Sequence, residues 1–107
     1  MIKIDIEADE LQEFKIPFED SLITIILSFR DGYWFMNTSY KDKVVNGLKL
    51  SSAVLMLQGK NLPFEILIDD KGLGTDPFSV DCFELGIFDF YILEREELED
   101  IRGFEVA

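Results

Sequence analysis

Hydrophobic and polar residues alternate along residues 22–40, and this pattern predicts two strands joined by a tight turn. The turn is Asp31-Gly32, a dipeptide typical of two-residue hairpin loops because both central positions of a type I′ turn need positive φ. The turn sets a register with one apolar side, made of the facing pairs Phe29–Trp34, Leu27–Met36, Ile25–Thr38 and Ile23–Tyr40. An isolated hairpin is marginal in water, so this side must be covered by other strands, a helix or a partner.

The opposite side of the hairpin is mixed in character. It is mostly polar, with Ile26 and Phe35 as exceptions, and its other members are Thr24, Ser28, Arg30, Tyr33, Asn37 and Ser39. The chain also has ten phenylalanines among 107 residues, more large apolar side chains than a small, thin barrel easily hides. Because aromatic side chains are enriched in protein interfaces, we predict that Tyr33 and Phe35 contact a partner protein.

The first and middle parts of the chain predict several further short elements. Alternation predicts a strand over residues 2–6, and an acidic connection with a turn of helix follows over residues 7–13. Residues 14–18 alternate again, and Pro17 assigns them to a sheet edge or a strand end because proline cannot donate to a ladder. The turn signal Asn46-Gly47 predicts a second, smaller hairpin over residues 44–50. Residues 51–58 suit a strand or a helical turn, and a strand is favoured because Gly59 and Pro63 follow closely.

The last part of the chain predicts two strands, a loop and a helix. The strands cover residues 64–68 and 85–93, and the second places Phe88, Phe90 and Ile92 on one side. Residues 69–77 form a loop, because they contain two glycines and the step Asp76-Pro77. A short helix is predicted over residues 94–101, with Gly103 as its stop. The whole pattern predicts one all-β domain over residues 1–107, an antiparallel barrel or sandwich with a short C-terminal helix.

Charge and cysteine content narrow the classes of partner. The formal net charge is −12, from 22 acidic and 10 basic residues, so the chain repels phosphate backbones and anionic membranes. No apolar run approaches the roughly 18 residues of a membrane helix, and the first residues lack the basic flank and apolar core of a signal peptide. The one cysteine, Cys82, is interpreted as a small core residue. We expect no nucleic-acid and no membrane partner.

The residues of this chain give little evidence for a catalytic or metal-binding site. The chain has no histidine, which removes the commonest general base and the usual partner of a nucleophilic serine or cysteine. Asp69, Asp70 and Asp76 could in principle bind calcium, but their spacing does not match an EF-hand loop, and turn-capping by the carboxylates is favoured. The acidic run over residues 94–100 is interpreted as a solvated face or as a patch for a basic partner. We predict no enzyme, metal or cofactor.

The order of these signals resembles a known family. An aromatic strand (residues 33–37) leads through an Asn-Gly turn and an apolar piece (44–57) to a strand that begins Leu-Pro (62–69). A loop ending in Asp76-Pro77, the step Leu85-Gly86 and a closing aromatic strand follow. Over about residues 13–94 this order is similar to the small plug proteins of contractile-tailed phage baseplates, typified by a cyanophage baseplate plug.

The resemblance implies a non-catalytic structural protein of the virion. It would be made in the host cytoplasm and would pack in the tail baseplate against the hub or the tail tube. Whether it also forms a homo-oligomer is left open. The candidate partner-binding residues are Tyr33, Phe35, Asp76, Pro77 and Tyr91. Two alternatives remain: an acidic DNA mimic that inhibits a nucleic-acid-binding enzyme, and a small ligand-binding barrel. The acidic residues are dense only at 7–13 and 94–100, whereas a mimic needs carboxylates in rows.

Overall fold

The residues that the structure describes form seven strands and one helix. The computed structural model describes residues 1–106, with side chains described for residues 1–100. The elements are β1 (Ile2–Ile4), β2 (Leu11–Phe18), β3 (Ser21–Arg30), β4 (Tyr33–Tyr40), β5 (Lys43–Lys49), β6 (Glu65–Asp69), β7 (Asp89–Leu93) and α1 (Arg95–Val106). The all-β prediction with a C-terminal helix is therefore confirmed.

The strands form two antiparallel sheets. One sheet has the order β1-β7-β6 and the other has the order β2-β3-β4-β5. Their apolar faces are buried together in one hydrophobic core. Of the two architectures predicted, the structure is the sandwich, since the strands belong to two separate sheets rather than one closed sheet.

The β3–β4 hairpin has the predicted turn and register. Asp31 and Gly32 have φ of 53° and 81°, as a type I′ turn requires, and Phe29 pairs with Trp34 across the strands. Trp34 and Met36 on the apolar side are at most 1% exposed. The apolar side of the hairpin is thus buried within the same chain, where Phe83 and Phe64 lie against Trp34 and Tyr40.

Replacing Gly32 with valine is expected to destabilise the fold by about 1–3 kcal/mol, because a β-branched residue is strained at positive φ. A Cβ at this position would meet no atom within 4 Å, so the penalty is conformational rather than steric. Gly32→Asn is the matched control, because asparagine tolerates positive φ. Denaturant unfolding measures both variants. A valine variant as stable as the parent would contradict the type I′ assignment.

The core between the sheets is rich in aromatic rings. Trp34 is fully buried, and its indole Nε1 donates to the carbonyl oxygen of Ser79 at 2.9 Å. Its ring lies edge-on to Phe83, at 5.7 Å between centroids. Cys82 is fully buried, which confirms its interpretation as a core residue. The predicted alternation of the last strand is also confirmed, with its buried side formed by Phe88, Phe90 and Ile92.

Two predictions for the first half of the chain are wrong. Residues 7–10 form no helical turn, and β2 already begins at Leu11. Residues 43–49 are one strand rather than a hairpin, because Asn46 and Gly47 form a bulge opposite Asn37. The Asn37 side-chain oxygen accepts the Gly47 N–H at 2.7 Å, which stabilises this bulge. β2 lies at a sheet edge, which is one of the two positions predicted from Pro17.

Three predictions for the second half also need correction. Residues 51–58 form turns rather than a strand, and Ala53 has φ of 60°, which a strand cannot contain. Residues 85–88 belong to a turn, where the Gly86 N–H donates to the Phe83 carbonyl, so β7 begins only at Asp89. The helix continues past Gly103 to Val106, since one glycine costs a helix only about 1 kcal/mol.

Charged contacts attach the beginning of α1 to the sandwich. The Arg95 guanidinium donates to both carboxylate oxygens of Glu19, at 2.8 and 2.9 Å, and this contact lowers the pKa of Glu19. The main-chain N–H of Glu94 donates to Glu97 Oε1 at 3.1 Å, a contact of the kind that caps helix N-termini. Leu98 is buried, so α1 is held by packing as well as by charge.

Candidate interaction surface

The outer face of the four-stranded sheet is the larger of the two sheet surfaces that face away from the core. Strand pairing places on it Leu11, Glu13, Lys15, Pro17, Leu22, Thr24, Ile26, Ser28, Arg30, Tyr33, Phe35, Asn37, Ser39, Val44, Asn46 and Lys49. Four of its large apolar side chains are 45–69% exposed, namely Leu11, Leu22, Tyr33 and Val44. This set of residues is called the outer face below.

Two cations cover the aromatic rings of β4 on the outer face. The Lys49 Nζ lies 4.1 Å from the ring centroid of Tyr33, and the Arg30 guanidinium carbon lies 4.1 Å from that of Phe35. Each contact is worth about 0.5–1 kcal/mol at an exposed site. Tyr33 and Phe35, called the aromatic pair below, thus each contact a cation on the outer face.

Asp76 lies next to this aromatic pair. Its Oδ2 is 3.9 Å from Lys49 Nζ, and its Oδ1 accepts the Ser52 N–H at 2.9 Å. Asp76 therefore connects the loop before Pro77 to β5 and to the turns that follow β5. Three of the candidate residues, Tyr33, Phe35 and Asp76, are brought together by Lys49. Pro77 follows directly but is buried, so its side chain packs inside.

Tyr91 lies on the other sheet. It is half-buried on the outward side of β7, and its hydroxyl donates to Asp89 Oδ2 at 3.2 Å. Partial burial, together with the negative charge of Asp89, raises the pKa of the Tyr91 hydroxyl. Tyr91 lines a groove of about 510 Å³ with Met1 and Leu67. The structure thus separates Tyr91 from the other candidates, on the opposite side of the sandwich.

The distribution of charge sets the outer face apart from the rest of the molecule. It carries three cations, Lys15, Arg30 and Lys49, and one anion, Glu13. The whole chain has 10 basic and 22 acidic residues, so 7 basic and 21 acidic residues lie elsewhere. The outer face therefore lacks the acidic charge that keeps other surfaces from close contact with an acidic partner.

The loop aspartates cap main-chain groups, as their turn interpretation predicts. Asp69 Oδ1 accepts the Lys71 N–H at 2.8 Å, and Asp70 accepts the N–H groups of Gly72 and Gly74 at 3.1 and 2.9 Å. Among the side chains that the structure describes, those of residues 1–100, no group of three or more acidic or cysteine side chains is arranged to hold a metal ion. The carboxylates at this loop are therefore explained by turn structure.

Sequence reasoning missed two residues of the outer face, Arg30 and Lys49, and one buried residue, Glu65. Arg30 faces Tyr33 across the turn, so the predicted hairpin register already contained its position. Lys49 faces Phe35 only because the bulge in β5 shifts the register, and no sequence signal distinguished that bulge from a turn. Glu65, only 1% exposed, appeared as an ordinary strand residue.

The described part of the chain has no helix long and apolar enough to cross a membrane. Comparison with known proteins gave one family-level finding. A family model described as cyanophage baseplate Pam3 plug gp18 matches residues 1–95. No curated protein matches the chain.

Proposed function

Because this chain belongs to the cyanophage baseplate plug family, a family of structural phage components, we propose that it packs against neighbouring hub or tail-tube proteins through its outer face. The observation that carries this proposal is the aromatic pair Tyr33 and Phe35, which lies on an exposed sheet face in contact with Arg30 and Lys49. Binding there is non-catalytic: it buries apolar surface on both partners.

The charge pattern supports the same face. A neighbour with an acidic surface would be repelled by most of this molecule but would be attracted by Arg30 and Lys49. Asp76 Oδ2 lies 3.9 Å from the Lys49 Nζ that contacts the Tyr33 ring, so Asp76 contributes to partner binding indirectly, through Lys49. We propose Tyr33 and Phe35 as the anchors and Asp76 as a supporting residue. Pro77 acts only by shaping this loop, and Tyr91 would belong to a second, separate contact.

Purified virions test the proposal. Mass spectrometry should find the protein as a low-copy tail component, and cryo-electron microscopy should place it in the baseplate with the outer face against a neighbour. Absence of the protein from purified particles would overturn the proposal. Salt-reversible binding to a basic nuclease would instead support the DNA-mimic alternative.

A matched pair of variants tests which face binds. Tyr33→Asp and Leu73→Asp each replace an exposed apolar side chain, 45% and 55% exposed, with a carboxylate. Both should fold, since exposed substitutions usually change stability by less than about 1 kcal/mol. Particles complemented with the Tyr33 variant should contain at least about tenfold less of the protein, as expected for an interface anchor. Equal incorporation of both variants would contradict the assignment of the outer face.

A further inference from the structure

Strand β2 has a free backbone edge. It lies at the end of the sheet order β2-β3-β4-β5, and it is eight residues long with no bulge in its pairing to β3. The Phe29 N–H donates to the Glu10 carbonyl at 2.8 Å, just before the strand begins. Because hydrogen-bonded and non-hydrogen-bonded pairs alternate in an antiparallel ladder, the backbone groups of Leu11, Glu13, Lys15 and Pro17 point away from β3.

These outward groups have no hydrogen-bond partner among the residues that the structure describes. Three N–H groups and four carbonyls are involved, since Pro17 has no N–H. The other sheet edges are protected in ways that proteins commonly use. β1 has three residues, β5 contains a bulge, and β6 is covered by Ala53 and Met56, whose N–H groups donate to Ile68 and Ile66. β2 is the long edge left open.

We propose that β2 pairs antiparallel with β2 of a second copy of this chain, around a two-fold axis at Phe14. In this register Glu13 faces Lys15 of the second copy, Lys15 faces Glu13, and Leu11 faces Pro17. Every outward N–H group of both copies then reaches a carbonyl of the other copy. Because the register follows from one axis, the same pairs form twice, as a two-fold interface requires.

Charge complementarity identifies a second copy of this chain as the strand that pairs with the free edge of β2. Glu13 and Lys15 are 51% and 63% exposed, and their charged atoms lie 3.9 Å apart within one chain. In the pair, four charges alternate in sign around the axis. A lysine on an edge strand ordinarily opposes pairing, but here it meets a glutamate. Moving the axis by one residue, to position 13 or 15, would place like charges face to face.

Pairing would also extend both faces of the sheet. On the inner side, Phe14 would face Phe14 of the second copy, and both rings are only partly buried in the single chain. On the other side, the two outer faces would lie side by side, because the two-fold axis of an antiparallel pair is perpendicular to the sheet. The dimer would thus present two copies of the Tyr33 and Phe35 surface in one direction.

Light scattering coupled to gel filtration measures the mass of the isolated chain. We expect a concentration-dependent approach to twice 12.4 kDa at ionic strength near 0.15 M. At that ionic strength the Debye length is about 8 Å, so the repulsion between two chains of net charge −12 is screened while contacting pairs are not. A chain that stays monomeric at concentrations of about 0.5 mM, where an association of millimolar Kd is detectable, would overturn the proposal.

Charge-swap variants test the register. Glu13→Lys and Lys15→Glu should each weaken self-association by about tenfold or more, because each places like charges opposite one another twice. An equimolar mixture of the two single variants should dimerise like the parent, since every facing pair in the mixed dimer is again opposite in charge. The double variant E13K/K15E should also recover the parental affinity.

These experiments measure self-association of the isolated chain and need no virions. Their outcome is therefore independent of the proposed function. Parental dimerisation by both single variants would show that another surface associates. Failure of the mixture to recover would show that residues 13 and 15 do not face each other. Thermal melting of the single variants at concentrations below dimerisation should match the parent, because both side chains are exposed.

Discussion

Replacing Trp34 with alanine is expected to lower the free energy of unfolding by about 3–5 kcal/mol, the usual cost of truncating a buried aromatic side chain. Trp34 is the largest fully buried side chain of the core. It packs against Phe29 in its own sheet and against Phe83 in the segment before β7, at centroid distances of 5.4 and 5.7 Å. Loss of the indole leaves a cavity between the β3–β4 hairpin and the segment that contains Phe83.

The indole also makes a polar contact that alanine cannot replace. Nε1 donates to the Ser79 carbonyl at 2.9 Å, across 45 residues of sequence. Without the indole the Ser79 carbonyl loses this partner, at a cost of about 1–3 kcal/mol if no water replaces it. Small domains have about 5–15 kcal/mol of stability in total, so the variant should be marginal at room temperature.

Denaturant titration measures the Trp34 effect. Trp34 is the only tryptophan of the chain, so unfolding of its variants must be followed by far-ultraviolet circular dichroism rather than tryptophan fluorescence. Trp34→Phe is the control: it keeps an aromatic ring and removes the hydrogen bond, and should cost about half as much. A loss below about 1 kcal/mol for the alanine variant would contradict the packing described for the sandwich.

Replacing Glu65 with alanine is expected to cost about 2–4 kcal/mol, because its carboxylate lies in the interior and accepts main-chain hydrogen bonds. The side chain is 1% exposed, and Oε1 accepts N–H groups of Ile66, at 2.9 Å, and of Leu57. The contact with Leu57 holds the turns of residues 51–58 against β6.

Glu65→Gln tests the role of the acceptor oxygen. Glutamine keeps an acceptor oxygen at the same distance from the backbone, so it should retain about half of the stabilisation. Amide hydrogen exchange gives the local readout. The Leu57 amide should exchange faster in the alanine variant than in the parent. The Trp34 indole N–H of the variant should remain protected, which means that it exchanges more slowly than in the unfolded chain. Uniformly faster exchange throughout the core, with no preference for Leu57, would contradict the local role of Glu65.

The candidate site was predictable only in part. Tyr33 and Phe35 were placed on the outward side of β4 by strand alternation, because a period of two leaves no other side for them. Their contacts with Lys49 and the proximity of Asp76 were not predictable, since they depend on the bulge in β5 and on a loop 24 residues from Ser52. Tyr91 was grouped with them, yet it lies on the opposite sheet.

Local signals by themselves determined the β3–β4 hairpin and the alternation of the last strand. A two-residue turn leaves one register, and alternation then assigns each side chain to a face, so no distant contact is needed. Pro17 lacks a donor, so it limited β2 to a sheet edge or a strand end. The family resemblance rested on the order of such local signals, and it agrees with the family match over residues 1–95.

Tertiary contacts decided the conformation of the segments whose local sequence signals were ambiguous. Asn46-Gly47 suits a turn or a bulge equally well, and the Asn37 side chain selects the bulge. Residues 51–58 are apolar enough for a strand, but main-chain bonds to β6 and the buried Glu65 carboxylate hold them as turns. Whether two sheets would stack or close also lay beyond sequence, because that choice depends on packing between residues far apart in the chain.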